Sequence, residues 1–404
     1  MSIYEYQAID QTGAVKKGVL SASNPAAARL KLRREDGLFI TKLDELAETS
    51  QSIEVNPFAR SHEKKQVAAF FKQMAVLLQA GVPLLEALEE VTKLSEHKKF
   101  QWLLIEVREK IAAGAALWEA LSQHPRFFSQ VHVQITRAGE ASGALSRVMK
   151  QLAQLEKKQT ALLARVRAAS YYPGFLTVTG VAVVIFLMSY IVPTLTDLFT
   201  SMGQKLPFVT RLLIWISHGI TQWWWLALLL LLGLGLLLQR SLKTESGQLR
   251  FDQFKLRLPV LGDLLKQVIL FRITATLATL LQSGVELLQA LEIVSKSTGN
   301  LVFERILVRA RTGVSEGKPL AKLLATAKVF PAMVTKMLAV GEATDGLAEI
   351  CTYLAEVYSE EVDNSITRLS SLIEPAMVVG MSLVVGFIAA AVLLPIFELN
   401  LMVH

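Results

Sequence analysis

The sequence predicts an all-α membrane protein with two homologous cytoplasmic six-helix-bundle domains, three transmembrane helices and a small N-terminal α+β module. Three observations carry that prediction. Three apolar stretches are each long enough to cross a bilayer core about 30 Å thick, which takes roughly 20 helical residues. A 14-residue segment returns 203 residues later with ten identical positions. Apolar residues in both copies recur at the three- and four-residue spacing of a helix.

The 404 residues leave room for two or three domains. A hydrophobic fraction of 52%, a charged fraction of 19% and a mean hydropathy of +0.40 are high for a water-soluble chain. They are low for one lying wholly in lipid, so spans and water-exposed parts must coexist. The N-terminus, Met1 to Tyr6, has no basic region followed by an apolar core. No cleaved signal peptide is expected, and the chain is expected to start in the cytoplasm.

The spans read as 171–194, 214–238 and 375–397. Pro173 and Pro193 bracket the first, and Pro375 and Pro395 the third; the second has an unbroken apolar core from Trp223 to Leu238. Basic flanks set the orientation. Lys150, Lys157, Lys158, Arg165 and Arg167 precede the first span, and Arg240, Lys243, Arg250, Lys255 and Arg257 follow the second. The 195–213 loop offers only Lys205 and Arg211, and the 398–404 tail has no Lys or Arg. The N-terminus and residues 239–374 are therefore expected inside the cell, the loop and the C-terminus outside. The surplus of Lys and Arg over Asp and Glu, 42 against 35, fits cytoplasmic retention and contact with membrane lipid. Nucleic acid is not expected as a partner, because the basic residues are spread along helical patterns without interleaved aromatics.

The repeat sets the domain plan. Leu78-Gln79-Ala80-Gly81-Val82-Pro83-Leu84-Leu85 returns as Leu281-Gln282-Ser283-Gly284-Val285-Glu286-Leu287-Leu288. Further on, Gly114 answers to Gly317, Phe128 to Phe330, Gly139-Glu140 to Gly341-Glu342, and Pro173 to Pro375. Each unit is a helical domain (63–170 and 239–374) leading into one span, and the middle span returns the chain to the same side. Gly81 and Gly284 stand where a helix ends in a left-handed residue. The long last helices are expected at 144–169 and 347–374. Gly139-Glu140-Ala141-Ser142-Gly143 has its counterpart in Gly341-Glu342-Ala343-Thr344-Asp345-Gly346, whose final glycine comes one residue late, so a differently built turn is expected there.

Residues 1–47 differ in kind. Ile3 to Ala8 alternates at period two, Gln11-Thr12-Gly13 turns into Val15–Leu20, Asn24-Pro25 begins a short helix, and Phe39-Ile40 adds a strand. A polar linker is expected over 48–62.

These residues resemble the inner-membrane platform family of type II secretion systems and type IV pili. The resemblance covers essentially the whole chain. It rests on the Leu-x-x-Gly-Val-x-Leu-x-x-Ala-Leu turn in both halves, the Gly-Glu-x-x-Gly signature, and Tyr172-Pro173 and Glu374-Pro375 before the spans. Gly203 to Pro207 and Leu394 to Asn400 are similar to the secretion branch, with a type IV pilus platform as the alternative. The resemblance implies a scaffold coupling a cytoplasmic assembly ATPase to pseudopilins drawn from the bilayer. It also implies other inner-membrane platform proteins as partners and a homo-oligomeric state.

Chemistry is conspicuously thin. Gly313 to Pro319 mimics a phosphate loop, but only three residues separate its glycines, Pro follows its Lys, and no strand precedes it. The six histidines show no His-Glu-x-x-His spacing, and the lone Cys351, expected as a small core residue, excludes a disulfide framework. His124 and His132 read as surface or capping residues. Glu140 and Glu342 are expected to accept backbone N–H groups at the start of the long helix that follows them; a metal ligand or an interfacial pair is the alternative. No catalytic, cofactor-binding or metal-ligating residue is expected, and the chain does not read as an enzyme. A transporter is the rival of another class, since internal repeats also mark those folds, but each copy contributes one span without an acid or base inside it. Arg29, Lys31, Arg33 and Arg34 cluster on one short segment and are candidate partner contacts, with a solvated or lipid-facing role as the alternative.

Overall fold

The computed structural model describes residues 2–9, 15–22, 24–27, 29–30, 39–45, 57–95, 97–191, 193–194, 208–242, 244–259 and 261–402. Strands β1 (Ser2–Ile9), β2 (Val15–Ala22) and β3 (Phe39–Glu45) form an antiparallel sheet in the order β2-β1-β3. A helical turn at 25–27 is opened by Asn24, whose Oδ1 accepts the Ala27 N–H at 2.7 Å.

Six helices then form the first copy: α1 (Pro57–Gln79), α2 (Leu84–Leu94), α3 (Lys98–Ala112), α4 (Leu117–Ser122), α5 (Gln130–Ala141) and α6 (Leu145–Phe186). After α7 (Phe208–Leu242) come α8 (Glu245–Arg257), α9 (Leu261–Gln282), α10 (Leu287–Ser297), α11 (Leu301–Ser315), α12 (Leu320–Ala325), α13 (Ala332–Ala343) and α14 (Leu347–Met402). From α9 onward the second copy repeats the first helix for helix. The additional α8 is separated from α9 at Leu258-Pro259, and it was not expected from the repeat.

Glycine at 81 and 284 is dictated by backbone shape. Both sit at φ above +80°, which an L side chain adopts only at a cost of about 1–2 kcal/mol. After each, the next amide reaches back five residues, Val82 to the Leu77 carbonyl and Val285 to that of Leu280, both at 3.0 Å. This is the double closure of a helix end.

Contacts group the chain into two units, one of residues 1–161, 272–298 and 306–354, the other of 162–271, 299–305 and 355–404. In the first unit, copy 1 packs Phe70, Phe71, Phe100 and Phe128 edge to face or tilted, with ring centroids 5.2 to 6.3 Å apart. Copy 2 contributes buried Leu280, Leu291, Val294, Leu324 and Leu338. Cys351 is fully buried, in keeping with a core role.

In the second unit, α6 and α14 lie side by side. Arg165 pairs with Asp363, the Tyr172 hydroxyl donates to Glu374 at 3.3 Å, and Met188 packs on Ile388 and Ala391. Partner numbers rise together along both helices, so the two run parallel and in register. A parallel pair crosses a bilayer in one direction, and the chain must return between them.

Three described helices are long and apolar enough to span: 145–190, 261–282 and 347–391. In the middle one 61% of the 18-residue apolar window is buried within the protein, against 11% and 6% in the other two. It is the core helix of copy 2, equivalent to α1, and water-shielded by its own domain. A further apolar run, Trp223–Leu238, lies within the 35 residues of α7.

Several expected boundaries need correction. α1 starts at Pro57, inside the stretch expected as a linker (48–62), and proline suits a helix's first turn; the rest of that stretch, 48–56, lies outside the described residues. The long helices do not stop before the spans: α6 runs through Pro173, and α14 runs through both Pro375 and Pro395. Proline removes one intrahelical bond but does not end a helix whose flanks are held by a packed partner. α6 passes into a π-helical turn at Leu187–Ile191, and the expected end of the first span, at 194, adjoins residues 195–207, which lie outside the described ones. Residues to Met402 continue α14, where a separate tail was expected.

Candidate functional site

The duplicated Gly-Glu turn is the best-defined shared feature. In copy 1, Glu140 leaves the end of α5 and accepts the N–H of Leu117 at 2.9 Å and of Trp118 at 3.2 Å. In copy 2, Glu342 accepts from Leu320 and Ala321 in the same way. These carboxylates cap helices, but not the ones expected: each reaches back to the short helix before it, α4 or α12, rather than forward to α6 or α14. The short helices need this. Neither Ala116 nor Pro319, their own cap residues, supplies a side-chain cap, so the first-turn amides would otherwise be unpaired.

The same bonds dispose of the phosphate-loop likeness. The amides at the α12 N-terminus, which an incoming phosphate would seek, are held by Glu342, and Lys318 pairs with Glu316 at 2.6 Å.

Gly139 and Gly341 let the following helix approach. A Cβ on Gly139 would lie 2.5 Å from Val148, and one on Gly341 3.0 Å from Ile350. The left-handed residue of the turn is Gly143 (φ +67°) in copy 1 and Asp345 (φ +55°) in copy 2. Both turns close alike, Ala144 N–H to the Gly139 carbonyl at 2.8 Å and Gly346 N–H to that of Gly341 at 2.9 Å. The late glycine therefore changes the residue that bears the strain, not the path of the turn.

Pro173 and Pro375 lie inside their helices at the start of the spans, and Glu374 beside Pro375 meets Tyr172, its counterpart in copy 1. Arg29 is exposed, while Lys31, Arg33 and Arg34 lie outside the described residues. Among the described residues, no group of three His, Cys, Asp or Glu is placed to hold a metal.

A charged cleft went unseen in the sequence. About 440 Å³ in volume, it lies in the first unit between α1, α5 and α6 on one side and α9 and α10 on the other. His132, expected as a surface or capping residue, is a cap, but it is only 5% exposed. Its Nδ1 accepts the Ser129 N–H at 3.2 Å, so Nε2 is the protonated nitrogen, and it lies 2.9 Å from Oε1 of the equally buried Glu156. At the rim, Arg126 donates to Glu63 through Nε (2.9 Å) and Nη2. Across the cleft, Arg272 Nη1 donates to the Thr298 carbonyl at 3.1 Å, and burial lowers its pKa from the ordinary arginine value. His124 is a partly buried side chain 3.6 Å from Glu106, and burial lowers its pKa against the opposing pull of that carboxylate. Nothing in the spacing of 132, 156 and 272 marks them, because these three residues lie on three separate helices. Only the oddity of a carboxylate at position 156, on the apolar side of α6, could have signalled it.

Comparison with known proteins now decides the family. The sequence model described as "Type II secretion system (T2SS), protein F" matches residues 70–193 and again 273–395, and that of the protein F N-terminal domain matches 1–44. The chain belongs to the type II secretion system protein F family. The double match falls on the two copies derived above, and its break between them contains α7. The chain is 35% identical to a type IV pilus assembly protein PilC of Thermus thermophilus, over 99% of its own length and 98% of the relative's. It is 32% identical to the type II secretion system protein F of Pseudomonas aeruginosa over the whole of both chains. To the protein F of Vibrio cholerae it is 30% identical over 99% of each. With its long apolar helices, this family member is a multi-pass inner-membrane protein with a repeated helical domain.

Proposed function

We propose that the chain is the inner-membrane platform of a type II secretion system, coupling a cytoplasmic assembly ATPase to pseudopilus growth. The observation that carries this reading is the double family match laid over a parallel, in-register pair of long helices. In such an arrangement each helical domain runs through its last helix, α6 or α14, into one of the two long apolar stretches. The chain acts as a scaffold, not as an enzyme, and takes its energy from the ATPase. Pseudopilins, other platform proteins and lipid are its further partners, and it works as a homo-oligomer. The N-terminus and both helical domains face the cytoplasm and the C-terminus faces the periplasm. Basic flanks support this reading, and so does the parallel direction of the two long helices. The N-terminal module and first helical domain capture the ATPase or its adaptor, with Arg29, Lys31, Arg33 and Arg34 in the contact.

Relatives named for type IV pili match as strongly as those named for secretion, so the decisive experiment scores both. Deleting the chromosomal copy should remove exoproteins from the medium while leaving surface pili, and re-expression should restore export. Loss of pili with export intact would move the chain to the pilus branch. Reporter fusions after Gln204 and at His404 should read periplasm, and one after Lys255 cytoplasm.

A further inference from the structure

We propose that the cleft between α1, α5 and α6 and the paired α9–α10 is a binding site for a small oxyanion-bearing molecule, a phosphate or carboxylate, gripped by Arg272. The walls present three cations, Lys64, Arg126 and Arg272, and two carboxylates, Glu63 and Glu156. Both carboxylates are engaged: Glu63 takes two N–H groups of Arg126, and Glu156 takes that of His132. Arg272 has no such partner. Among the described residues its one hydrogen bond goes to a backbone carbonyl, and no carboxylate lies within ion-pair distance. A guanidinium offers five donors in a planar fork, and a largely buried cation without a counter-ion is costly.

The shared fold does not require that charge. The equivalent position in copy 1 is Ala69, by the offset that aligns Gly81 with Gly284. Thr276 lies one turn after Arg272 on the same helix face and also lines the cleft, as does Gln159 opposite. A forked cation flanked by a hydroxyl and an amide is the donor set that recognises phosphate or carboxylate oxygens. The volume, about 440 Å³, is that of a site for a metabolite-sized molecule, larger than a bare ion needs. Because the walls come from both copies, such a ligand would tie α9 and α10 of copy 2 to the core of copy 1.

The test uses the full chain in nanodiscs of phosphatidylcholine, with thermal unfolding followed in sodium phosphate, in sodium citrate, and in sodium chloride of matched ionic strength. Phosphate or citrate should raise the midpoint saturably where chloride does not. R272Q should weaken the apparent affinity about tenfold or more, and R272K less, because charge survives without the fork. T276V, which keeps the volume, should weaken it several-fold, while the exposed R309Q should leave it unchanged. A further arm in phosphatidylglycerol discs without added phosphate separates the sources. Stabilisation sensitive to R272Q that is present only there assigns the same subsite to a lipid headgroup. Equal responses to phosphate, citrate and chloride, or a saturable response surviving R272Q, would overturn the proposal.

Discussion

The two copies share a turn and differ in a core. Gly139, Glu140 and Val148 in copy 1 do what Gly341, Glu342 and Ile350 do in copy 2, contact for contact. At the offset that aligns those residues, His132 and Glu156 become Val334 and Tyr358, both buried. The ionisable, hydrogen-bonded His–Glu pair of copy 1 is thus a valine and a tyrosine in copy 2. The geometry that makes the domain is kept twice, whereas the residues lining the cleft are found once. Features common to both copies serve the fold, and features confined to one are where a specialised role resides.

The largest effect should come from breaking the polar pair of copy 1. H132V leaves the Glu156 carboxylate buried without its donor and should cost about 3–5 kcal/mol. H132V/E156Y, which writes copy 2's residues into copy 1, should recover most of that loss. Chemical unfolding of the detergent-solubilised chain would show it, and a double variant no more stable than H132V would break the equivalence of the copies.

Next in size is the carboxylate cap. E140A and E342A each remove the charged acceptor to which two backbone N–H groups donate and should each cost about 2–3 kcal/mol. Similar losses sharpen the comparison; a loss in only one copy would show that the motif has taken different roles.

The glycine contacts come third. G139A forces a methyl to 2.5 Å from Val148 and should cost about 1–3 kcal/mol, a typical overpacking range. G341A, at 3.0 Å, should cost less. D345G relieves a left-handed aspartate and should stabilise copy 2 by up to about 1 kcal/mol, read as a small upward shift of the thermal midpoint.

The smallest effect is on pH. Burial lowers the His124 pKa, so the unfolded chain binds that proton more readily than the folded one, and stability rises with pH across this window. Acidification below about pH 6.5 should therefore weaken copy 1. The equivalent residue in copy 2 is Ala327, whose N–H closes on the Leu324 carbonyl as that of His124 closes on Leu121, and H124A should remove this part of the acid sensitivity in melts at pH 7 and pH 5.5.

Much of this molecule was legible in its sequence, for identifiable reasons. Apolar length announces a span because lipid offers no alternative partner for the backbone. Gly81 and Gly284 announce helix ends because few other residues tolerate their φ. The duplicated motifs revealed the domain plan without any structure. What stayed hidden depends on distance in space. Glu140 caps not the helix that follows it but one that begins 23 residues earlier, across a turn that no local spacing encodes. Pro173 and Pro375 look like helix stops until the parallel partner that supports their flanks is in place. The cleft joins Glu63, His132, Glu156 and Arg272 from four helices, and no periodicity connects them.

The central claim is that Glu140 and Glu342, the paired acids of the duplicated turn, are structural parts of a scaffold rather than agents of chemistry. The most direct measurement is export per folded platform molecule in cells carrying E140A, E342A or the wild-type chain, normalised to membrane-inserted, protease-resistant protein. The account predicts that both variants lose abundance while export per surviving molecule stays at the wild-type level. A variant present at full abundance and stability that exports nothing would contradict it.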